Sequence, residues 1–398
     1  MKNKIMLCLL SSLFLIFAVG CGTKKSDTKG NLNILIDVKD AKSTDLIQKL
    51  AEDYKGKNPD TNVIVSAALG GSTASEIDKG KADLLFTTRR TMISLAGKGR
   101  LADTKNLFED NKIDERYNKI VKSYGRYNDK EYGLPLNLSP LEVYYNTDAL
   151  KKLGLTAPKD TAGLYSLLSA LNSKSVEIPV FVSEEKYFRS DLFSFLVNNS
   201  VSVNKFDAVF ENEAEAYKSI DMKVPFDTLK DLVRKNIVSK YSFINGSDTA
   251  VVKLNKGDIP VIIGAFANMN ELTGSNIEVY QNFSGGIVPV ISDSIMSVPV
   301  NSQNGKQVES FIKYIFSDET QKKLNEMGYS SNNKSLNKDA KGLAAVVNKQ
   351  LGDADEKNII FTDSIPEKML DALEGRLELI LSGKFTDNEW NEVINSAH

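Results

Sequence analysis

The early part of the chain alternates between two spacings of apolar residues. Leu32, Ile34 and Ile36 recur at every second position, which is the period of a strand with one buried face. An apolar set at helical spacing follows and predicts a helix, comprising Leu46, Ile47, Leu50, Ala51 and Tyr54. Residues 63–65 and 83–86 are further apolar runs of strand length. Strands that alternate with helices predict an α/β fold with a parallel sheet and right-handed crossovers.

The later part of the chain is predicted to be mostly helical. Two apolar sets keep helical spacing over two turns or more, namely Val308, Phe311, Ile312, Ile315 and Phe316, and then Leu370, Leu373, Leu377, Ile380 and Leu381. Residues 178–182 and 260–264 are short apolar runs that predict buried strands. We therefore expect a second unit in which helices surround a few strands.

Residues 132–155 have the pattern of a crossover between two domains. Pro135 fixes its own φ and disfavours helix before it, so residues 132–138 are predicted to be extended. Residues 141–145 form an apolar and aromatic run that only Glu142 interrupts, which predicts a short buried strand. A capped helix follows at once. Two extended segments without a tight hairpin, followed by a helix, indicate that the chain passes from one domain to the other.

The order of residues in this stretch resembles a segment of a known family. The motif comprises Tyr-Gly-Leu-Pro at 132–135, Tyr-Tyr-Asn at 144–146, Asp148 and Gly-Leu at 154–155. Further similar passages lie at 57–60, 80–86, 95–103, 317–321 and 381–384. The sequence resembles the family 1 extracellular solute-binding proteins, which supply bacterial ABC importers, most often with sugars. The resemblance implies an α/β, two-lobe periplasmic-binding-protein-like fold of type II, with a hinge between the lobes.

The predicted domain organisation follows from the crossover and from the resemblance. It comprises a lipoprotein signal peptide at 1–20, a polar tether at 21–30, lobe one at 31–138 plus 279–315, and lobe two at 139–278 plus 316–398.

The first residues of the chain indicate export. Lys2 and Lys4 precede an apolar run at 5–18, which is short for a membrane-spanning helix and leads to small residues, as in a signal peptide. The sequence Ala-Val-Gly-Cys at 18–21 resembles a lipobox, which implies that Cys21 is lipidated. An ordinary secretory signal with a chance cysteine is the alternative. We predict a protein held by this lipid on the extracytoplasmic face of the cell membrane.

Composition excludes several classes of function. The chain has 50 Lys and Arg against 52 Asp and Glu, and loss of residues 1–20 with their two lysines changes the formal charge from −2 to −4. A mildly acidic protein with mixed charges gives no reason to expect a nucleic acid partner. The only histidine is His398 at the terminus, which excludes Ser-His-Asp and Cys-His catalytic arrangements and His-ligated metal sites. We expect a monomer with no cofactor and no bound metal.

Candidate ligand-binding residues follow the predicted strands of lobe one, because open parallel sheets bind ligands at the carboxyl ends of their strands. They are Asp37, the turn residues Gly71, Ser72 and Thr73, and then Thr88 and Arg89. Amides and hydroxyls of the turn can donate hydrogen bonds to an anion or to sugar hydroxyls, whereas an ordinary strand-to-helix turn is the alternative. Arg89 and Arg90 either line the cleft or are solvated, and we favour the second.

The resemblance adds candidates from elsewhere in the chain. Phe266 stands where the family carries an aromatic ring that stacks on the ligand, and Asn268 lies just beyond it. Three further candidates lie on segments that lead from one lobe to the other, namely Asn137, Tyr145 and Gly285. Because Tyr144 and Tyr145 point to opposite faces of a strand, at most one of them reaches a ligand. We expect Phe266 and the 70–73 turn to contact the ligand from opposite lobes.

Three functions are compatible with the sequence. We favour a protein that captures a carbohydrate and delivers it to the permease subunits of an ABC importer, without covalent chemistry. The first alternative is the binding of an oxyanion or another charged small molecule, suggested by the 70–73 turn with Arg89. The second is a carboxylate-based surface enzyme, although we expect the acidic pairs at 184–185 and 318–319 to be solvated. The presence of a single tryptophan, Trp390, counts mildly against a typical oligosaccharide cleft.

Overall fold

The computed structural model describes residues 30–283 and 286–398 of the 398-residue chain. Its strands are β1 (Gly30–Asp37), β2 (Thr61–Ala67), β3 (Leu84–Thr87), β4 (Arg126–Tyr127), β5 (Lys130–Glu131), β6 (Leu134–Pro135), β7 (Ser139–Pro140), β8 (Glu142–Asn146), β9 (Ile178–Phe181), β10 (Phe243–Asn245), β11 (Val261–Gly264), β12 (Ile277–Val279), β13 (Val290–Ile291) and β14 (Ile295–Ser297).

Its α-helices are α1 (Ala41–Lys57), α2 (Thr73–Asp78), α3 (Arg89–Gly97), α4 (Lys105–Asp110), α5 (Ile113–Arg116), α6 (Lys119–Gly125), α7 (Thr147–Lys152), α8 (Thr161–Ser173), α9 (Phe188–Asn198), α10 (Asn204–Asp207), α11 (Ala214–Lys218), α12 (Lys223–Arg234), α13 (Asp248–Lys256), α14 (Gly305–Ile315), α15 (Asp318–Glu326), α16 (Gly342–Asp353), α17 (Glu367–Leu381) and α18 (Glu389–Ala397). Short 3₁₀ helices occupy Glu185–Tyr187, Met269–Glu271, Glu356–Asn358 and Phe361–Ser364.

Lobe one is built on a sheet with the strand order β2-β1-β3-β14-β6. β1 runs parallel to β2 and β3, whereas β14 is antiparallel to both β3 and β6. Leu32 and Ile34 of β1 are completely buried, because this strand lies inside the sheet and helices cover its faces. The alternation of strands and helices in the sequence is thus a consequence of a mostly parallel sheet.

Lobe two contains a second sheet with the strand order β10-β9-β11-β8-β12. β9 runs parallel to β10 and β11, and β8 is antiparallel to β11 and β12. Helices α9, α12, α17 and α18 supply most of a separate apolar core around Phe226, Leu373 and Trp390. The predicted α/β fold with two lobes is confirmed.

The chain passes between the lobes at three places. Residues 136–141 connect β6 of the first sheet to β8 of the second, and residues 280–294 return from β12 to β14. These two connections pair with each other through the antiparallel strands β7 and β13. The third passage lies at 359–361, where Ile359 belongs to the core of lobe one and Phe361 to the helical core of lobe two.

The third passage lies later in the chain than we predicted. We placed residues 316–398 in lobe two throughout, but Leu324 of α15 and Val347 and Leu351 of α16 pack in the core of lobe one. The apolar face of a helix follows from its sequence period, whereas the core that receives this face depends on the tertiary arrangement. The other predicted bounds stay predictions.

The sequence accounts for the first residue, the last residue and the buried face of helix α1, which reaches the cleft. Asp40 caps the helix by accepting a hydrogen bond from the backbone N–H of Ser43 at 2.6 Å. The predicted apolar face, including Leu46 and Leu50, is buried against the sheet, and the helix ends at Asn58, which precedes Pro59. The first turn of α1 therefore lies at the carboxyl end of β1. Within 30–283 and 286–398, no helix has both the length and the apolar character that are needed to cross a bilayer.

Candidate functional site

Neighbouring cavities that share lining residues lie between the two lobes. On the side of lobe one they are bordered by residues that follow β1 and β3, including Asp40 and Thr88. On the side of lobe two they are bordered by residues that follow β9 and β11, including Ser183 and Ala267. Each of these strand pairs is parallel, so the carboxyl ends of both sheets face the same cleft. This is where open α/β sheets bind their ligands.

The first cavity, here called the aromatic cavity, has a volume of about 380 Å³. Phe181 and Phe266 form its apolar wall, with ring centroids 5.2 Å apart. Tyr144 packs edge-on behind Phe266 at 5.4 Å. Asn268 and Tyr329, which are joined by an antiparallel bridge, lie beside them. The two rings are tilted by 41° to each other, and an aromatic wall next to polar groups suits a small ligand that has both an apolar face and hydrogen-bonding groups.

Charged side chains line the remainder of the aromatic cavity. Lys42 of α1 contacts Glu271 at 2.7 Å and Asp248 at 3.7 Å, and these ion pairs join lobe one to lobe two. Asp293, on the passage between β13 and β14, accepts a hydrogen bond from Ser183. The carboxylate oxygens can accept hydrogen bonds from hydroxyl or amino groups of a ligand.

A group of ion pairs, here called the central network, lies between the aromatic cavity and a second cavity. Arg90 of α3 pairs with Glu184 and, at 3.3 Å, with Asp363. Lys39, after β1, pairs with the same Glu184 at 3.0 Å and with Glu367 at 3.5 Å. The side chains of Arg90 and Glu184 are each 12% exposed. The central network therefore holds the two lobes together in the middle of the cleft.

Buried carboxyl groups surround the central network. Burial raises the pKa of Asp191 to about 8, although a 2.6 Å hydrogen bond from Thr362 acts in the opposite direction. Burial likewise raises the pKa of Asp293 to about 7. The pKa of Asp363 is also raised by burial, against the attraction of Arg90 and then Arg89. For all three groups burial is the largest cause of the raised pKa, because it disfavours the charged carboxylate.

The second cavity, here called the threonine cavity, has a volume of about 470 Å³ and contains four of the predicted site residues. Thr73 donates a hydrogen bond to Asp37 at 2.7 Å, so these two side chains already satisfy each other. Thr88 caps α3 by accepting from the backbone N–H of Thr91 at 3.3 Å. Gly71 has φ +80°, a conformation that favours glycine. Ser72 lies next to the cavity, where its hydroxyl accepts from the N–H of Leu69 at 3.0 Å.

The prediction that Arg89 lines the cleft or is solvated is wrong. Its side chain is 1% exposed, and its two terminal nitrogens contact the two carboxylate oxygens of Asp207 at 2.8 and 2.9 Å. Its Nε donates to the carbonyl of Tyr124 at 3.1 Å, and Nη1 donates to Ser364 at 3.0 Å. The start of α3 turns Arg89 into the interior, whereas Arg90, which we expected to be solvated, points into the cleft.

Two predicted residues lie away from both cavities. Tyr145 is in the core of lobe two, and its hydroxyl donates to Glu278 at 2.9 Å. Asn137 is 3% exposed on the passage at 136–141, and neither polar atom of its amide has a partner among the described residues. The expected contact between Phe266 and the 70–73 turn through one ligand is not apparent, since they line different cavities. Gly285 and Cys21 lie outside the described residues.

Several residues of the cleft were missed by the sequence analysis. Lys39 and Asp40 directly follow β1, so the rule that selected Asp37 could have found them. Glu184, which we expected to be solvated, is instead shared by Arg90 and Lys39. The pairing of Lys42 with Glu271 joins residues from different lobes, and no local pattern in the sequence indicates it.

Another cavity, of about 320 Å³, is enclosed by lobe two alone. Apolar side chains of α8, α9 and α12 line most of it, including Leu164, Leu192 and Leu232. No residue predicted as part of the site lines this cavity. The interlobe cavities are therefore the better candidates for the functional site.

The sequence matches the family model described as bacterial extracellular solute-binding protein over residues 40–322. No curated protein matches the sequence significantly.

Solved structures with the same fold include proteins with bound sugars and sugar alcohols. An ABC transporter solute-binding protein from Thermotoga lettingae, bound with α-D-tagatose, aligns with a TM-score of 0.69 at 16% identity over 92% of this chain and 97% of its own. The sugar-binding protein MalE from Xanthomonas citri aligns with a TM-score of 0.67 at 14% identity over 92% and 95%. A solute-binding protein from Agrobacterium vitis with bound D-mannitol aligns with a TM-score of 0.62 at 17% identity over 92% and 96%.

Proposed function

This chain belongs to the bacterial extracellular solute-binding protein family, and on that premise we propose that it captures a carbohydrate between its lobes and delivers it to an ABC importer. The predicted family is confirmed. Members of this family bind solutes outside the cytoplasm, so the chain is a binding protein and not an enzyme. The carboxylate-based enzyme that we weighed is thereby set aside.

The aromatic cavity is the observation that carries the carbohydrate proposal. Phe181 and Phe266 offer aromatic faces for a sugar ring, and Asp248, Glu271 and Asn268 offer acceptors for its hydroxyl groups. The cavity lies between the lobes, so closure of the lobes would remove a bound ligand from water. The sugars bound by proteins with the same fold support this choice of ligand class.

The oxyanion alternative loses its main support in the cleft. Arg89 was the cation expected to hold an anion, and its guanidinium is occupied by Asp207 inside the protein. The hydroxyl of Thr73, the other expected donor, is bonded to Asp37. The cavity that contains Phe266 is bordered by carboxylates, which repel an anion.

The anchor and the partners are also part of the proposal. We propose that Cys21 is lipidated and holds the protein on the outer face of the cell membrane, because the residues at 18–21 resemble a lipobox. The protein acts as a monomer and delivers its ligand to the permease subunits of the importer.

A thermal-shift screen of sugars and oxyanions against the purified protein tests the proposed ligand class. A ligand at 100 times its dissociation constant stabilises the folded protein by about 2.7 kcal/mol, which such a screen detects as a higher melting temperature. We expect stabilisation by one or a few sugars. Stabilisation by oxyanions alone would contradict the proposal.

A further inference from the structure

The aromatic cavity is much more acidic than the protein as a whole. Five carboxylate side chains and a single ammonium group line it, namely Asp40, Glu185, Asp248, Glu271, Asp293 and Lys42. These groups give the lining a formal charge of −4 when all five acids are ionised and −3 when Asp293, whose pKa is about 7, keeps its proton, whereas the complete chain carries only −2. A cavity with one sign of charge and walls of low dielectric constant concentrates ligands of the opposite charge.

The carboxylates of the aromatic cavity are incompletely neutralised by the protein. Lys42 is shared between Glu271 at 2.7 Å and Asp248 at 3.7 Å, so one cation serves two anions. Glu185 forms no ion pair with any described residue. Among the described residues, the hydroxyl of Ser183 is the one hydrogen-bond donor to the side chain of Asp293. A cation placed between these groups would therefore gain attraction without having to displace an existing one.

The raised pKa of Asp293 also reflects the negative charges of neighbouring carboxylates. Burial raises its pKa to about 7, and the neighbouring carboxylates Asp40 and Asp363 act in the same direction. The hydrogen bond from Ser183 and the charge of Lys42 oppose the rise. Burial is thus the main cause of the raised pKa, and the charge of Lys42 does not cancel it.

Ser43 adds a hydroxyl-bearing residue to the lining of the aromatic cavity. The residue is only 3% exposed and lines the cavity; its backbone N–H bonds to Asp40, and its hydroxyl group has no hydrogen-bond partner among the described residues. A hydroxyl in this position can accept from or donate to a ligand. The aromatic wall contributes as well, because a cation within about 6 Å of the face of a ring is attracted to it. Phe181 and Phe266 are the aromatic residues that could act in this way, since both line the same cavity.

We propose that the aromatic cavity selects a ligand that carries a protonated amine, such as an amino sugar, over the neutral sugar of the same shape. The inference rests on the carbohydrate-binding function proposed above and narrows its substrate class. An organic cation fits better than a metal ion, since the carboxylates of the described residues form no group of three or more that is arranged to hold a metal. The amine would lie between Asp293 and Asp248, with the ring against Phe181 and Phe266.

Calorimetric titration with matched pairs of compounds tests the selectivity. The pairs are glucosamine and glucose, galactosamine and galactose, and the chitosan disaccharide and cellobiose, which differ only in amino groups that replace hydroxyls. A hydrogen bond to a charged group contributes enough to change the dissociation constant by roughly tenfold to a hundredfold. We expect at least one amino compound to bind more tightly than its partner by about this factor, with a smaller advantage at high salt.

Variants that remove one negative charge locate the amine. Asp293→Asn and Asp248→Asn should each reduce the ratio of affinities for the amino compound and the neutral sugar, because each removes a negative charge but keeps an oxygen that accepts a hydrogen bond. The side chain of Asp248 is 91% exposed, so its replacement is safe for folding if Asp293→Asn proves unstable. Asp60→Asn, at an exposed turn outside the cleft, makes the same change in net charge and should keep the preference.

The outcomes separate this inference from the proposed function. Equal binding of an amino sugar and its neutral partner would overturn the inference and leave carbohydrate binding intact. A preference that survives both cavity variants would also overturn it. Cyclohexylamine serves as a ring amine without sugar hydroxyls: if it binds while every sugar fails, amine selection stands and carbohydrate binding is wrong. If none of these compounds binds, the amino-sugar inference is wrong.

Discussion

Arg89 and Arg90 are neighbours in the sequence, but their environments are opposite. Arg89 is held inside the protein by both carboxylate oxygens of Asp207, whereas Arg90 pairs with Glu184 and Asp363 in the cleft. Successive residues at the start of α3 point about 100° apart around the helix axis, which places one side chain inward and the other outward. The sequence Arg-Arg alone does not reveal which of the two is internal.

Replacement of Arg89 should affect stability rather than ligand contact. Removing one member of a buried ion pair leaves an uncompensated charge on Asp207, which typically costs about 3–5 kcal/mol. We expect Arg89→Ala to lower the free energy of unfolding by an amount of this order in urea denaturation. Arg126→Ala, which removes only a pair with the exposed side chain of Asp129, should change it little. If the Arg89→Ala protein has the stability of the parent but no longer binds the ligand, Arg89 contacts the ligand in the cleft.

Asp191 should make the protein less stable as the pH rises. Burial raises its pKa from 3.8 to about 8, so between these values the native state keeps a proton that the unfolded chain has released. The free energy of unfolding should therefore fall across this window by up to about 1.4 kcal/mol per pH unit from this group, and level off above it. The other charged groups that face Asp191, including Arg90, Glu184 and Asp363, contribute separately to the stability of the protein.

Asp191→Asn tests this pH dependence directly. The amide keeps an oxygen that accepts the hydrogen bond of Thr362 but has no proton to lose. We expect the variant to be more stable than the parent at pH 8 and to lose much of the slope, measured as melting temperature from pH 5 to 9. Asp231→Asn, at an exposed position, is the control. Parallel curves for Asp191→Asn and the parent would show that Asp191 is ionised in the native state.

The sequence predicts residues of the cleft only where a local rule applies. Asp37 and Thr88 follow from their positions after strands, and both lie in the threonine cavity. Phe266 follows from the resemblance to the family and lies in the aromatic cavity. The contact of Lys42 with Glu271 spans 229 residues, and neither local spacing nor hydrophobic period contains information about such a pair. Charge complementarity across the cleft is visible only in the folded chain.

The elements themselves are largely predictable, because burial imposes a period on each of them. The helical periods of α1, α14 and α17 identify their buried faces, and the period of two identifies β1 as a strand, although Leu35 on its other face is buried as well. The core against which α15 and α16 pack cannot be predicted from the period of their apolar residues. Leu324 of α15 and Val347 and Leu351 of α16 join the core of lobe one although the chain has already left the sheet of that lobe, whereas Leu343 and Val346 of α16 pack against a core of lobe two. Packing partners of helices depend on the tertiary fold and not on the helix sequence alone.

The central network is an interaction between elements, and its loss should loosen the lobes. Glu184, after β9, is the carboxylate that Arg90 and Lys39 share. Glu184→Gln would remove the negative charge that both cations share and so weaken the attraction between the lobes. We therefore expect a larger radius of gyration by small-angle scattering in the protein without ligand. Glu185→Gln is the matched control, since this neighbour is exposed and forms no ion pair with the described residues. Identical scattering of all three proteins would show that the network does not hold the lobes together.

At the scale of the whole molecule, the two lobes and their connections account for a binding cleft. The strands β7 and β13 join two of the connections, so they are the natural position for a hinge. Closure around a ligand would remove the aromatic cavity from water and strengthen its charged contacts. The hinge itself stays a prediction.

The attachment of the molecule to the membrane is a separate prediction. We expect Cys21→Ser to release the processed protein from the membrane fraction into the medium or the soluble fraction, because the serine cannot be lipidated at that position. Fractionation followed by immunoblotting measures the change. Gly22→Ala, next to the lipidated position, is the control and should stay attached. A processed Cys21→Ser protein that remains in the membrane fraction would contradict a lipid anchor at Cys21.

The central claim is that a carbohydrate binds in the aromatic cavity against Phe266. Calorimetric titration of the best sugar from the screen into the parent, Phe266→Ala and Phe195→Ala tests it most directly. Phe195 stacks on Phe283 within lobe two, with ring centroids 4.9 Å apart, so its replacement removes a comparable ring outside the cavity. Loss of an aromatic contact should weaken binding by about tenfold to a hundredfold in Phe266→Ala and leave Phe195→Ala unchanged, provided that both remain folded. Equal affinity of Phe266→Ala and the parent would show that the ligand binds elsewhere.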